Sequence, residues 1–206
     1  MSVQRKVTSF VTRGDGLGRE LLVFWHAGSG VQVPAGTVEP GEPFEAAAIR
    51  EAAEETGLDG LELVRSLGVQ SIDFPEGRAA LVRKEYLRTA PAGPETSWPL
   101  TNSVVDVVAQ ADGFTRIVYA ERDIDVEDGL EYARFEGWVP SSALASKQER
   151  AFYHFRTTKP SPEEWKQLEN GIFEFHLRWE PLHPKPTVLV AGQQDWLDTY
   201  HSALTS

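Results

Sequence analysis

Apolar and polar residues alternate in short runs along most of this chain, and turns containing glycine or proline separate the runs. Val7 to Thr12 and Leu21 to Trp25 are rich in strand formers; Gly14-Asp15-Gly16-Leu17-Gly18 between them predicts a hairpin connection. Ala27-Gly28-Ser29-Gly30 makes a second turn, and Val31 to Val33 starts a third strand. The pattern then changes. Pro43 to Thr56 reads as helix, with Pro43 at the first helical position and Gly57 as a left-handed stop. Further strands are expected at Ser66 to Ile72, Ala80 to Arg88, Val104 to Val108, Thr115 to Ala120, Tyr132 to Val139 and Phe152 to Thr157. A short helix near Pro162 to Gln167, a strand at Ile172 to Trp179 and a closing helix around Gln194 to Ser202 complete the expected order.

The run Lys84-Glu85-Tyr86-Leu87-Arg88-Thr89, with Pro91 and Trp98 after it, echoes Tyr153-His154-Phe155-Arg156-Thr157 with Pro160 and Trp165. Each is followed by a Gly-led strand that ends in Trp-x-Pro. The echo marks residues 83–145, approximately, as a β-rich insertion and a partial internal duplication within a single domain spanning 1–206. The apolar faces of that stretch, Val104 to Val108 and Ile117 to Tyr119, must be covered either by the core of the parent domain or by a second subunit, and a homodimer is the expectation.

Composition narrows the class. With 206 residues, 41% hydrophobic and 25% charged, the chain suits one soluble domain that needs no staples. No run approaches the roughly 18 apolar residues of a membrane helix. Met1 to Phe10 is polar and lacks the apolar stretch of a secretory signal. The absence of cysteine excludes disulfides, thiolate metal sites and thiol nucleophiles. A cytoplasmic protein is expected. Twenty Lys+Arg against 31 Asp+Glu give a formal charge of -11, which argues against nucleic acid and anionic membranes as partners. A small anionic substrate would need cations to mediate its binding.

The candidate chemistry lies in Gly36-Thr37-Val38-Glu39-Pro40-Gly41-Glu42 and, on the following helix, Arg50-Glu51-Ala52-Ala53-Glu54-Glu55-Thr56-Gly57-Leu58. At about 100° per residue, Glu51, Glu54 and Glu55 share one arc of the helix. Ala46, Ile49 and Ala53 fall on the opposite side and are expected to press on a sheet. Like charges at these spacings repel by a few tenths of a kcal/mol per pair, and by more where the effective dielectric falls. A divalent cation reverses the sign, because carboxylate oxygens are the ligands that hard Mg²⁺ takes alongside substrate phosphates.

This segment resembles the signature of the Nudix hydrolase superfamily, G-x5-E-x7-R-E-U-x-E-E-x-G-U, in which U is a bulky aliphatic residue. Gly36, Glu42, Arg50, Glu51, Glu54, Glu55, Gly57 and Leu58 match in register, and Ala52 is smaller than the usual aliphatic. The resemblance implies an α/β fold, a Nudix-type α/β/α sandwich with a mixed β-sheet. It implies that Glu51, Glu54 and Glu55, with the Gly36 carbonyl, hold Mg²⁺ or Mn²⁺, and that Glu42 pairs with Arg50. Glu54, Glu55, Arg50 and Glu42 are then the catalytic set. The implied reaction is hydrolysis of a phosphoanhydride in a nucleoside diphosphate linked to another group, such as ADP-ribose, or in a nucleoside triphosphate. The alternative is a catalytically silent nucleotide sensor.

The chain also departs from that family. Many relatives carry a further glutamate just before a Gly-Gln pair and a closing helix; here Ala191 precedes Gly192-Gln193. Glu85, Glu121, Glu131 and Glu136 are the other candidates for a base. Pro75, seventeen residues past Leu58, lies one place from where ADP-ribose-type members carry a proline. The tyrosine favoured by the diadenosine polyphosphate branch is missing from that region. The isoprenoid isomerase branch uses a cysteine, which this chain lacks. Elsewhere, Asp123 to Gly129 reads as a solvated acidic turn rather than a calcium loop, and His154 and His176 as ordinary strand residues. Phe24, Trp25, Phe74, Tyr86 and Trp98 are expected mainly in the core, with base stacking open to some of them.

Overall fold

The computed structural model describes residues 2–122, 131–169 and 173–206. Its elements in chain order are β1 Ser2–Arg13, β2 Glu20–His26, β3 Gly30–Gln32, β4 Ala35–Thr37, α1 Phe44–Thr56, β5 Leu61–Asp73, β6 Arg78–Leu81 and β7 Glu85–Arg88. There follow β8 Glu95–Leu100, β9 Val104–Ala111, β10 Phe114–Arg122, β11 Glu131–Pro140, β12 Leu144–Thr157, β13 Glu164–Glu169, β14 Phe173–Pro181 and α2 Ala191–Thr205. The chain forms two compact units: Lys6–Val69 with Arg150–Ser206, and Gln70–Glu149 with Met1–Arg5. The stretch read as an insertion lies within the second unit.

The first unit carries the motif. Its strands run in the order β13-β14-β2-β1-β12, with β3 beside β2 and β4 beside β1. Pairing is antiparallel at β1–β2, β2–β14 and β13–β14. Along β1 and β12 the partners advance together, Arg150 bonding to Val7 and Thr8 and His154 to Thr12, so these two strands are parallel and the sheet is mixed. Alternate residues serve two faces. Val7, Val11, Leu22, Phe24, Ala151, Tyr153 and Phe155 form one core with Ala47, Ala48 and Ala52 of α1. Phe10, Leu21, Val23 and Phe152 form another with Leu197 and Leu204 of α2. Covering both faces explains the unbroken apolar run of β2 from Leu21 to Phe24. This is an α/β/α sandwich.

The second unit has its own core of Leu81, Leu87, Leu100, Val105, Ile117, Val139 and Ala143. Its strand order is β6-β9-β10-β11-β7-β8, with the start of β12 against β6. The long meander β9–β10–β11 is antiparallel throughout. Among the described residues, no helix is long and apolar enough to cross a membrane.

Four local expectations change. The helix expected at Pro162 to Gln167 is the strand β13, because Trp165 and Gln167 point to α1 in alternation while Lys166 and Leu168 are exposed. The single strand expected at Ala80 to Arg88 is two, β6 and β7, separated by a bend at Val82 to Lys84. Pro43 is the cap ahead of α1 rather than its first residue. Of the five aromatic residues expected mainly in the core, only Phe24 is buried; Trp25, Tyr86 and Trp98 are exposed. Asp123 to Gly129 lies outside the described residues.

Candidate active site

The helix turns a different face to the sheet from the one its apolar residues suggest. Ala47, Ala48, Ala52, Glu55 and Thr56 are buried, whereas Ala46 and Ile49 are exposed. On the helical wheel Glu51 and Glu55 fall inside the buried arc, and Ile49 falls about 110° or more from both. Two carboxylates therefore enter the packed side of α1, and each finds a backbone donor there.

Those donors come from β4. The Ala35 amide donates to Glu55 Oε2 at 2.9 Å, and the Thr37 amide donates to Glu51 Oε1 at 3.0 Å. Gly36 sits between them, and a β-carbon there would lie 1.9 Å from Glu51 Cδ. Only glycine admits the carboxylate so close to the strand, which gives the first motif residue a steric reason. Gly57, at φ 69°, closes the helix in the left-handed region. Trp165 Nε1 then donates to the Thr56 carbonyl at 2.7 Å and Gln167 Nε2 to that of Glu54 at 3.2 Å, satisfying two of the last carbonyls of α1.

Arg50 joins loop to helix. Its Nε and Nη2 each donate to a different oxygen of Glu42 at 3.0 Å, and Nη2 also reaches the Thr37 carbonyl at 3.0 Å. Nη1 lies 3.0 Å from Glu51 Oε1 and 3.1 Å from Glu54 Oε2. The Glu39 amide donates to Glu42 Oε2 at 2.9 Å, so the loop closes on itself before the helix begins. Hydrogen bonding to Glu42, together with the charge of Glu51, holds the Arg50 guanidinium protonated well above its ordinary range against the cost of its burial. Burial pushes the Glu51 carboxyl up, and Arg50 only partly offsets this.

Lys6 belongs to this neighbourhood and carries no motif signal. It is the register partner of Thr37 across β1 and β4, and its Nζ donates to Thr37 Oγ1 at 2.6 Å. Burial, then the charge of Arg150, lowers its ammonium to about 8, although Glu51 pulls the other way. Arg150, lowered to about 10 by burial, donates to the Val7 carbonyl and lies over the Trp196 ring at 4.5 Å. A lysine within β1 could have been singled out only by its register opposite Thr37 of the motif loop.

The donor set suits a hard divalent cation: carboxylates placed by backbone amides, with a glycine leaving the strand open beside them. Among the described residues, however, no three acidic or histidine side chains are gathered around one point. Glu51 and Glu55 are held on the sheet side, Glu54 is half exposed, and Arg50 Nη1 supplies the positive charge between Glu51 and Glu54. The other acids considered as a base have partners in the second unit: Glu85 with Arg83, Glu131 with Arg134, Glu136 with Arg116 and Glu121 with Tyr119. Ala191 is exposed at the start of α2, and Gln193 Oε1 accepts from the Val33 amide at 2.7 Å.

The NUDIX domain family model matches residues 3–112, which is more than half of the chain. The chain belongs to the Nudix family. Among solved structures, this Nudix chain is similar to an Ap4A hydrolase of C. elegans, at 12% identity and a TM-score of 0.48 with all of both chains covered. It is also similar to the E. coli dihydroneopterin triphosphate pyrophosphohydrolase, at 11% identity and a TM-score of 0.49, covering 98% of this chain and 99% of that one. A MutT protein from Bacillus halodurans follows at 14% identity and a TM-score of 0.44, with 99% and 84% covered. The family assignment rests on the domain match together with the in-register motif.

Proposed function

We propose that this Nudix chain is a Mg²⁺- or Mn²⁺-dependent pyrophosphohydrolase. Its substrates are nucleoside diphosphates linked to another group, nucleotide sugars of the ADP-ribose kind or nucleoside triphosphates. The observation that carries this reading is the pair of carboxylates, Glu51 and Glu55, fixed on either side of Gly36 by the amides of Thr37 and Ala35. Glu51, Glu54 and Glu55, with the Gly36 carbonyl, would hold the ion. When bound, it would neutralise the pyrophosphate and make a bound water acidic enough to attack in line.

The chain's own residues have distinct tasks. Glu42 and Arg50 tie the loop to the helix, so that Gly36 and Glu51 keep their separation. Lys6 places an ammonium beside Thr37 and Glu51, which favours an anionic substrate in a protein of charge -11. Glu54 is the most exposed of the three helix acids and is the one that water reaches; it takes the proton at its carboxylate. No role is given to Ala191. A panel of nucleoside diphosphate conjugates and nucleoside triphosphates, with phosphate or nucleotide release read out in Mg²⁺ and in Mn²⁺, tests the reading. Saturable binding without turnover of any of them would favour the silent sensor instead.

We also propose a homodimer, which exposed apolar residues of the second unit support. Val105 and Ile117 are sealed in that unit's own core, whereas Trp98 on the edge strand β8 and Val108 on β9 are 64% and 53% exposed. Sedimentation velocity across a concentration series should give the dimer mass. A monomer in the tens of micromolar would remove the proposal.

A further inference from the structure

We propose that Lys6 and Arg150 form a phosphate subsite beside the motif loop, one that selects substrates ending in a phosphate monoester: nucleoside triphosphates rather than nucleotide sugars. Its place in the reaction rests on the pyrophosphohydrolase reading above; its capacity to bind does not.

Two cations without a counter-ion carry the inference. Lys6 and Arg150 are both partly buried, and neither has an ion-pair partner among the described residues. Other arginines of the same unit behave differently: Arg13, Arg50 and Arg156 are each held by a carboxylate. Glu51 acts on Lys6 only at longer range, because its Oε1 accepts from Arg50 Nη1 and from the Thr37 amide, each at 3.0 Å. Withdrawing a charge from water without pairing it is unfavourable. Two such charges side by side call for an anion from outside the chain.

The strands set the pair in place. Lys6, Thr8 and Phe10 alternate onto one face of β1, and Phe10 packs in the core under α2. Lys6 lies in register with Thr37, and its Nζ donates to Thr37 Oγ1 at 2.6 Å. Arg150, on β12, donates from Nη1 to the Val7 carbonyl at 3.1 Å and to Thr8 Oγ1 at 3.0 Å. The Trp196 ring of α2 backs the guanidinium at 4.5 Å. The cations are near enough for the charge of Arg150 to oppose protonation of Lys6. All of these residues belong to the first unit.

Donors are left over. Arg150 Nε and Nη2 have no acceptor among the described residues, and neither is sealed from solvent. Lys6 uses one of its ammonium protons on Thr37 and keeps the others. Guanidinium and ammonium donors on one face match the oxygens of a phosphate. Charge then selects the kind of phosphate. In a nucleotide sugar both phosphates are diesters of single charge, and that pyrophosphate belongs at the helix glutamates with the ion. A nucleoside triphosphate adds a terminal monoester of about two negative charges at pH 7, which Lys6 and Arg150 together balance.

Calorimetric titration of the full chain in EDTA tests the subsite without turnover. The probes are adenosine 5′-triphosphate and ADP-ribose, which share the adenosine and its first two phosphates. The wild type should bind the triphosphate about tenfold or more tighter than ADP-ribose. Lys6→Met and Arg150→Met should each remove most of that difference, and both should fold, since each deletes one of two repelling charges. Lys84→Gln, the same change of charge at an exposed residue of the second unit, should preserve it. Equal affinity for the two probes, a difference that survives both methionine variants, or a loss as large in Lys84→Gln would overturn the proposal. Turnover in Mg²⁺ is read separately: its absence would end the pyrophosphohydrolase reading, while the metal-free difference would still establish the subsite.

Discussion

Arg50 grips Glu42 through both edges of its guanidinium, Nε to Oε1 and Nη2 to Oε2, each at 3.0 Å. The fork spans the eight residues from loop to helix and is only 26% and 15% exposed at its two side chains. Lysine cannot reproduce two parallel donors. Arg50→Lys should therefore lower unfolding stability by about 2 kcal/mol, below the full cost of breaking a wholly buried pair. Urea unfolding measures it, and an unchanged midpoint would show that the fork does not brace the loop.

Glu54 should behave in the opposite way. Its carboxylate is 54% exposed and contributes little to packing. Glu54→Gln should keep the melting temperature within a degree or two but reduce turnover by two orders of magnitude or more, about 3 kcal/mol in the barrier. Steady-state rates in Mg²⁺ and Mn²⁺ decide this. Full activity would leave the reaction to other residues.

Gly36→Ala brings a methyl to where Glu51 Cδ lies 1.9 Å away. The carboxylate must leave the Thr37 amide or the strand must move. A stability loss of about 2 kcal/mol is expected from such overpacking, with turnover falling further than stability explains. If the variant kept both, Glu51 would not be held where its function needs it.

Metal-free stability should depend on pH through Glu51. Burial raises its folded carboxyl above the unfolded value, so the folded state binds the proton more tightly. Ionising Glu51 then costs stability above its folded value, and that cost disappears as the pH falls through it. Against Glu51→Gln, which cannot ionise, the wild type should gain stability as the pH is lowered from 7 towards the carboxylate range. Paired urea titrations in EDTA give the difference; a flat difference would mean that Arg50 compensates the burial in full.

The motif was legible because its residues are fixed by contacts between near neighbours in sequence: Gly36 against Glu51, Glu42 against Arg50, Gly57 at the helix end. The face of α1 was not legible. Amphipathic reasoning places Ile49 inward and glutamates outward, yet Glu51 and Glu55 turn inward because β4 offers them amides, a contact that hydrophobic periodicity does not encode. β13 was misread for a similar reason. Its sequence looks helical in isolation, but Trp165 and Gln167 are placed by the carbonyl ends of α1, more than a hundred residues earlier. Lys6 was missed because a lone lysine just before the apolar run Val7 to Thr12 carries no pattern at all. The α/β/α layering was legible only through the resemblance of the motif to the Nudix signature, and the unbroken apolar run of β2 acquires its meaning once both faces of the sheet are seen to be covered.

The fastening of α1 by β13 also bears on how the molecule can be divided. The family match ends at residue 112, but the sheet under the motif takes β12, β13 and β14 from the last third of the chain. A fragment cut at that boundary would keep every residue of the signature and lose the strands against which Val7, Leu22 and Phe24 pack. The smallest piece able to fold around the signature is thus discontinuous in sequence, and two co-expressed fragments should reconstitute it where one shortened fragment fails.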